Sequence, residues 1–415
     1  MKILFVSDQL PYPPRNGVTI PTFNYMSRLA LHHDVSLLFL TEDIQKIDRK
    51  QVTANRNYVN QLWILERWKK SKLIRMRDEL IMRKPYFLGY TYNTAKLKEF
   101  LLGQAFDVIW ISPFKTVDII ETIFGVIGST PIYVAGINDC ATAMLRNMGK
   151  KLVMSGLDFK TRVLYLTRWI RSWPIGRMET KMLRKYDLIL VQTDVERLWL
   201  DILSNGELNV RTMILPNGVN ELLFKIPIGY VNKDLLLLGN LESEYREVIS
   251  WVVQKVWPRI KSAKHEARFF IIGKKDGSTL CRTIDSDSRI VHKEYEEDIR
   301  KVFRQKAVML APVFKAYGLI NKVIESMAAG VPVVGDSGSF NGIPGFENGR
   351  HGIIAKDAKV MADSVIALLD SHQKSTEMAR AARNLVKKHF SWQDRINMIN
   401  ERLDTFLKKR RVAKI

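Results

Sequence analysis

Apolar residues along this chain gather in short unbroken runs more often than in alternation. The clearest lie at 3–6, 108–111, 188–191, 235–238, 269–272 and 308–310, with a further run at 35–40 broken only by Ser36. Runs of this length suit strands buried on both faces, as in a parallel sheet covered by helices. Amphipathic stretches stand between them at 20–31, 179–185 and 321–329, and another closes the chain after Trp392. Strands alternating with helices predict βαβ units and an α/β fold. The expected strands are residues 2–7, 35–40, 107–111, 131–134, 188–191, 235–239, 269–273, 289–292, 308–311 and 331–335.

The tightest such unit is APVFKAYGLINKVIESMAAGVPVVGD, the 26 residues 311–336. Its first strand stops at Pro312, and a loop containing Gly318 follows. A helix over 321–329 ends at Gly330, where a C′ glycine belongs, and the next strand closes at Gly335. This is near the smallest crossover that a parallel sheet allows. The loop amides of Gly318, Leu319, Ile320 and Asn321, with the helix N-terminus behind them, favour an anion. Lys322 adds a full positive charge in the first turn, and Glu325 adds a carboxylate one turn later. Amides, a cation and a carboxylate at the carboxyl end of a sheet suit a nucleotide or a phosphorylated sugar.

The chain opens with a similar pattern: strand 2–7, a loop over 8–19 holding Pro11, Pro13, Pro14 and Gly17, a helix over 20–31 and strand 35–40. A length of 415 residues exceeds one ordinary core, so two domains are expected. The turn pair Asn217-Gly218 lies in the expected boundary at 213–228, which separates a domain over 1–213 from one over 229–388. Residues 389–415 form a terminal helix.

Composition narrows the setting. Cys140 and Cys281 lie far apart in sequence, which fits a reducing compartment without disulfides, and no Cys/His spacing is of metal-binding type. The apolar start is too short for a signal peptide, and no run of 18 apolar residues exists. A soluble or peripheral protein is expected. The formal charge of +22 calls for an anionic partner or surface. Residues 67–84 carry eight basic and two acidic residues, and 160–185 carry eight basic residues against the single acid Glu179. With Trp68, Trp169 and Trp173 interleaved, both stretches read as basic helices for an anionic membrane surface. A solvated face is the plainer reading, and no standard nucleic-acid motif is present.

The segment G-L-I-N-K-V-I-E-S-M-A-A-G-V-P-V-V resembles the donor-binding segment of family 4 retaining glycosyltransferases. Within that family it is most similar to the bacterial sugar-transferase branch that reads G-x-x-N-K-V-x-E-A-M-A. The likeness covers nearly the whole chain, clearly over 2–35 and from 187 onward, weakly over 42–107. It implies the GT-B fold: two Rossmann-like domains facing a cleft, the first on the acceptor side and the second binding a nucleotide-sugar, with the terminal helix crossing back to the first. It implies donor contacts from Gly17, Asn240, Arg246, Tyr317, Gly318, Leu319, Ile320, Asn321, Lys322 and Glu325, and a nucleobase turn at Lys293 to Tyr295. Relatives carry an acid where Tyr317 stands, an Arg where Asn240 stands and a His that this chain lacks. Asp139, which equally reads as a helix N-cap, is the acceptor-side carboxylate, and Lys322 and Glu325 carry the catalytic charge. No cofactor or metal is implied.

The activity implied is transfer of a hexosyl group, with retention, from a nucleotide-diphosphate sugar to a glycan or lipid-linked glycan. The setting is bacterial surface polysaccharide synthesis in the cytoplasm, at the inner face of the membrane, with no nucleic acid as partner. Two alternatives stand beside it: a nucleotide-sugar epimerase or phosphorylase on the same fold, and a catalytically inactive GT-B subunit acting as a membrane-associated partner.

Overall fold

A computed structural model describes residues 1–71, 73–74, 90–137, 140, 142–143, 145–146, 159–242, 245–314 and 318–412. The chain forms two compact units, Met1–Pro216 with Gln393–Ile415, and Asn217–Trp392.

The first unit is built on an eight-stranded sheet. Its strands are β1 (Lys2–Ser7), β2 (Asp34–Thr41), β3 (Gln61–Lys69), β4 (Tyr90–Tyr92), β5 (Val108–Ile111), β6 (Ile132–Gly136), β7 (Leu188–Val191) and β8 (Thr212–Ile214), in the order β4-β3-β2-β1-β5-β6-β7-β8. All neighbours pair in parallel except β3 and β4. The central strands are buried along almost their whole length, as their continuous apolar runs require. Strand order reverses between β1 and β5, so the loops after these two strands diverge and leave a crevice at their carboxyl ends.

The second unit carries six parallel strands, β9 (Asp234–Leu238), β10 (Arg268–Ile272), β11 (Ile290–Lys293), β12 (Lys306–Ala311), β13 (Val333–Gly335) and β14 (Ile353–Ile354), in the order β11-β10-β9-β12-β13-β14. Its reversal falls between β9 and β12. Within the terminal helix Trp392–Val412, residues from Gln393 onward belong to the first unit. There the Arg410 guanidinium makes paired 2.8 Å hydrogen bonds to the Asp187 carboxylate.

One expectation needs correction and another needs only extension. Residues 67–69 are not helical: they end β3, where side chains alternate and Arg67 points into the interior beside buried Leu65. The two-residue period of the strand outweighs the local run of charge. Of the remainder of that basic stretch, residues 75–84 lie outside the described residues. The helix expected over 179–185 is the end of a 25-residue helix, Phe159–Leu183. Its exposed side chains include Trp169, Ile170 and Trp173, 45–55% accessible, which is an unusual amount of apolar surface for a helix facing water.

Candidate active site

At the reversal in the second unit, the loops after β9 and β10 are joined at close range. A Cβ on Gly273 would sit 2.0 Å from the carbonyl oxygen of Gly239, so only glycine fits there. The Asn240 side chain accepts a hydrogen bond from the Lys274 amide at 2.9 Å, and the Leu241 amide donates to the Lys274 carbonyl at 2.9 Å. Asn240 is thus held by the neighbouring loop.

The helix Asn321–Ala329 starts beside this point. Ile320 holds the N-cap position without a side-chain cap, so its side chain satisfies none of the first-turn amides. The opposite end closes at Gly330, whose left-handed backbone (φ 73°) lets its amide return to the Met327 carbonyl and that of Val331 to Ser326. Val323, Ile324, Met327 and Ala328 bury the inner face. That burial fixes the outward direction of Lys322 and Glu325. Lys322 Nζ donates to the carbonyl of Leu238, the last residue of β9, at 2.5 Å, and lies 3.3 Å from the centre of the Tyr245 ring. The Asn321 side chain accepts from Asn217 Nδ2 at 3.0 Å. Asn217 is buried, so it fixes the orientation of Asn321. Glu325 is half-buried, and among the described residues no hydrogen bond or ion pair to its carboxylate is found. Desolvation alone pushes its carboxyl up to about 7.

The other expected residues are distributed more widely. Arg246 is exposed, in the first turn of the helix Tyr245–Trp251, and is ion-paired with Asp276. The Lys293 carbonyl accepts from the Gly273 amide at 2.9 Å, while its ammonium lies 4.0 Å from Glu296. Tyr295 is exposed. Gly318, Leu319 and Ile320 lead into the Asn321 helix, with Leu319 buried. Gly17 belongs to the first unit, in a loop where an added Cβ would meet nothing within 4 Å. Asp139 and Tyr317 lie outside the described residues. The fold therefore gathers Asn240 and Lys322 at one strand end, with Glu325 one turn along the helix from Lys322. It places Lys293 two strands away.

Tyr245 was not singled out from sequence, because an aromatic after an Asn-Leu pair carries no signal of its own. The first unit holds a second group of this kind. Asp8 follows β1, and its buried carboxylate accepts from Arg67 Nη2 at 2.9 Å and lies 2.7 Å from Lys115 Nζ. Arg67 is itself buried, with the Tyr90 ring 4.0 Å from its guanidinium carbon. The group stands at the carboxyl ends of β1 and β3 and just past β5, beside the β1/β5 reversal. A cavity of about 470 Å³ opens beside it, lined by Asp8, Thr41, Glu42, Asp48, Gln51 and Arg67 among others. An Asp directly after the first buried strand was the available clue.

Residues 232–371 match the family model described as glycosyl transferases group 1. No curated protein sequence matches the chain. Several solved structures share its fold over nearly full length. Anabaena HepE in complex with UDP-glucose is 13% identical with a TM-score of 0.64, covering 98% of this chain and 100% of its own. Sucrose-phosphate synthase from Thermosynechococcus elongatus is 14% identical with a TM-score of 0.63, covering 98% of this chain and 99% of its own. TarM from S. aureus, in complex with fondaparinux, alpha-GlcNAc-glycerol and UDP, is 11% identical with a TM-score of 0.66, covering 97% of this chain and 100% of its own. Lys322 and Glu325 both fall inside the matched segment. The chain has the GT-B fold, and the segment that matches the glycosyl transferases group 1 model lies within its second unit.

Proposed function

We propose that this protein is a retaining glycosyltransferase that moves a hexosyl group from a nucleotide-diphosphate sugar to a glycan or lipid-linked glycan. The observation that carries the reading is the position of Lys322. It places a cation at an uncapped helix start and at the carboxyl end of β9, where the sheet order reverses. In this reading Lys322 and the Gly318–Asn321 amides hold the donor diphosphate, and Glu325 accepts hydrogen bonds from the ribose. The leaving diphosphate takes the proton of the acceptor hydroxyl as it departs on the same face. Catalysis then rests on charge stabilisation and on orienting two substrates. The acceptor is assigned to the first unit, where the Asp8 carboxylate and the Glu42-rimmed cavity present acceptors for sugar hydroxyls. UDP-sugars are the first donors to test, since the HepE and TarM complexes contain UDP. Thermal shifts with a panel of nucleoside diphosphates test the donor. A nucleotide-sugar that is isomerised without acceptor would instead indicate an epimerase, and failure of every nucleotide to bind would leave the inactive-subunit reading.

The helix Phe159–Leu183 supports a peripheral membrane setting at the inner face. Its exposed Trp169, Ile170 and Trp173 stand among exposed Arg162, Arg177 and Lys181. Among the described residues no helix is long and apolar enough to cross a membrane. Sedimentation with anionic vesicles tests this part separately.

A further inference from the structure

The helix Thr279–Ser286 and strand β11 bring three chemically different side chains to one point. Cys281 Sγ, a carboxylate oxygen of Asp285 and a ring nitrogen of His292 all lie within 4.8 Å of one another. Cys281 and Asp285 stand four residues apart on one helix face, and the edge strand β11 supplies His292. Cys281 is buried, with its sulfur 3.7 Å from Asp285 Oδ2. Sequence spacing gives no hint of this set, because the crossover into β11 assembles it.

The state of the imidazole is a second, separate observation. Its Nε2 lies 3.0 Å from the Gly273 carbonyl oxygen, which can only accept, so Nε2 carries the proton. Nδ1 is then an unprotonated lone pair, and it is buried without a hydrogen-bond partner. A backbone carbonyl that fixes the tautomer of a histidine is the usual support behind a metal-ligating ring. Lys275 bonds both Asp285 oxygens, at 2.9 and 3.1 Å, which accounts for the carboxylate as an ordinary ion pair. It accounts for neither the unpartnered Nδ1 nor the thiol beside it.

We propose that Cys281, Asp285 and His292 bind one zinc-class divalent cation. The ion replaces the Cys281 thiol proton, which leaves to solvent, and the resulting thiolate binds the metal. Nδ1 of His292 donates its lone pair while Nε2–H stays on Gly273. One Asp285 oxygen turns to the metal and the other keeps Lys275. Three protein ligands leave a fourth, tetrahedral position for water. A thiolate with an imidazole selects Zn²⁺ over Mg²⁺, Mn²⁺ or Ca²⁺. The bound ion ties the edge strand β11 to the helix Thr279–Ser286, while Nε2–H of His292 links that strand to the Gly273 turn. The binding of this ion does not depend on the glycosyltransferase reading.

The test uses the full-length chain, stripped with a chelator, dialysed and titrated with Co²⁺. One ion per chain is expected, with a thiolate-to-cobalt charge-transfer band that Zn²⁺ bleaches. Zn²⁺, but not Mg²⁺, raises the melting temperature by mass action. C281S and H292Q lose the band, while C140S keeps it. A parent chain without the band overturns the proposal, as does a band that survives both C281S and H292Q or vanishes in C140S. Should C281S not fold, the parent spectrum and the H292Q titration still decide. The readout is metal binding, so failure here leaves the proposed transfer reaction untouched.

Discussion

Lys322, in the first turn of its helix, donates its ammonium proton to the carbonyl of Leu238, at the end of β9 on the other side of the sheet reversal. The Tyr245 ring packs against the same ammonium at 3.3 Å. These two contacts hold a flexible four-carbon side chain at the strand end, so less side-chain entropy is lost when a phosphate arrives.

Replacing Lys322 with Ala should therefore weaken nucleoside diphosphate binding by about 1.5–3 kcal/mol, the range for a hydrogen bond to a charged group. Binding of the nucleoside alone should change little. Calorimetry with both ligands checks this, and an equal loss for the two would place Lys322 away from the phosphates. Arg246→Ala should cost less, because Arg246 is exposed and already paired with Asp276.

Glu325 gives the reading a pH signature. Its carboxyl is pushed up to about 7 by desolvation, so the free protein holds it partly protonated at neutral pH. A carboxylate that accepts ribose hydroxyls must be ionised, so donor affinity should fall as pH drops through about 7. E325Q should remove that dependence. Stability runs the other way. A folded value raised above the unfolded one means that the folded state binds more protons, so this group lowers stability as pH rises from the ordinary carboxylate range through 7. E325Q should raise the melting temperature at pH 8 and be neutral near pH 4, with at most about 3 kcal/mol involved and less for a side chain partly in solvent.

Transfer should proceed equally well with and without added Mg²⁺ or Mn²⁺, since Lys322 and backbone amides meet the diphosphate charge in the proposed mechanism. Rates measured in both conditions decide the point. Full dependence on an oxygen-loving divalent ion would remove this mechanism.

The pair Asp8–Arg67 allows a stability test confined to the first unit. Both side chains are almost wholly buried. D8A leaves the Arg67 guanidinium buried without that partner and should cost about 3–5 kcal/mol. The double change D8L with R67M should recover most of the loss while UDP binding stays unchanged. Denaturant melts together with UDP titration report both.

The exposed apolar and basic side chains of Phe159–Leu183 predict binding to anionic vesicles that is released as salt rises, with screening over about 8 Å at physiological ionic strength. Reversing Arg162, Arg177 and Lys181 to Glu should abolish sedimentation and spare nucleotide binding. Vesicle binding equal to that of the parent would mark these charges as a solvated face.

The continuous apolar runs determined much of this protein on their own. A strand buried on both faces has no polar side to show, so the central strands β1, β2, β5, β7, β9, β10 and β12 were all legible as runs. Gly330 likewise marked a helix end, because few other residues adopt its backbone angle. Strands β3, β4 and β14 were not legible, whereas the edge strand β11 was expected at 289–292. β3 alternates in burial and carries Arg67 inward, which in sequence looks like the start of a basic helix. Tertiary structure alone decided which residues meet across crossovers. Asp8 finds Arg67 and Lys115, Lys322 finds Leu238 and Tyr245, and His292 finds Cys281 and Asp285. Local patterns record only how one segment is buried. Which strand ends become neighbours follows from the order of strands in the sheet, and no window along the chain contains that order.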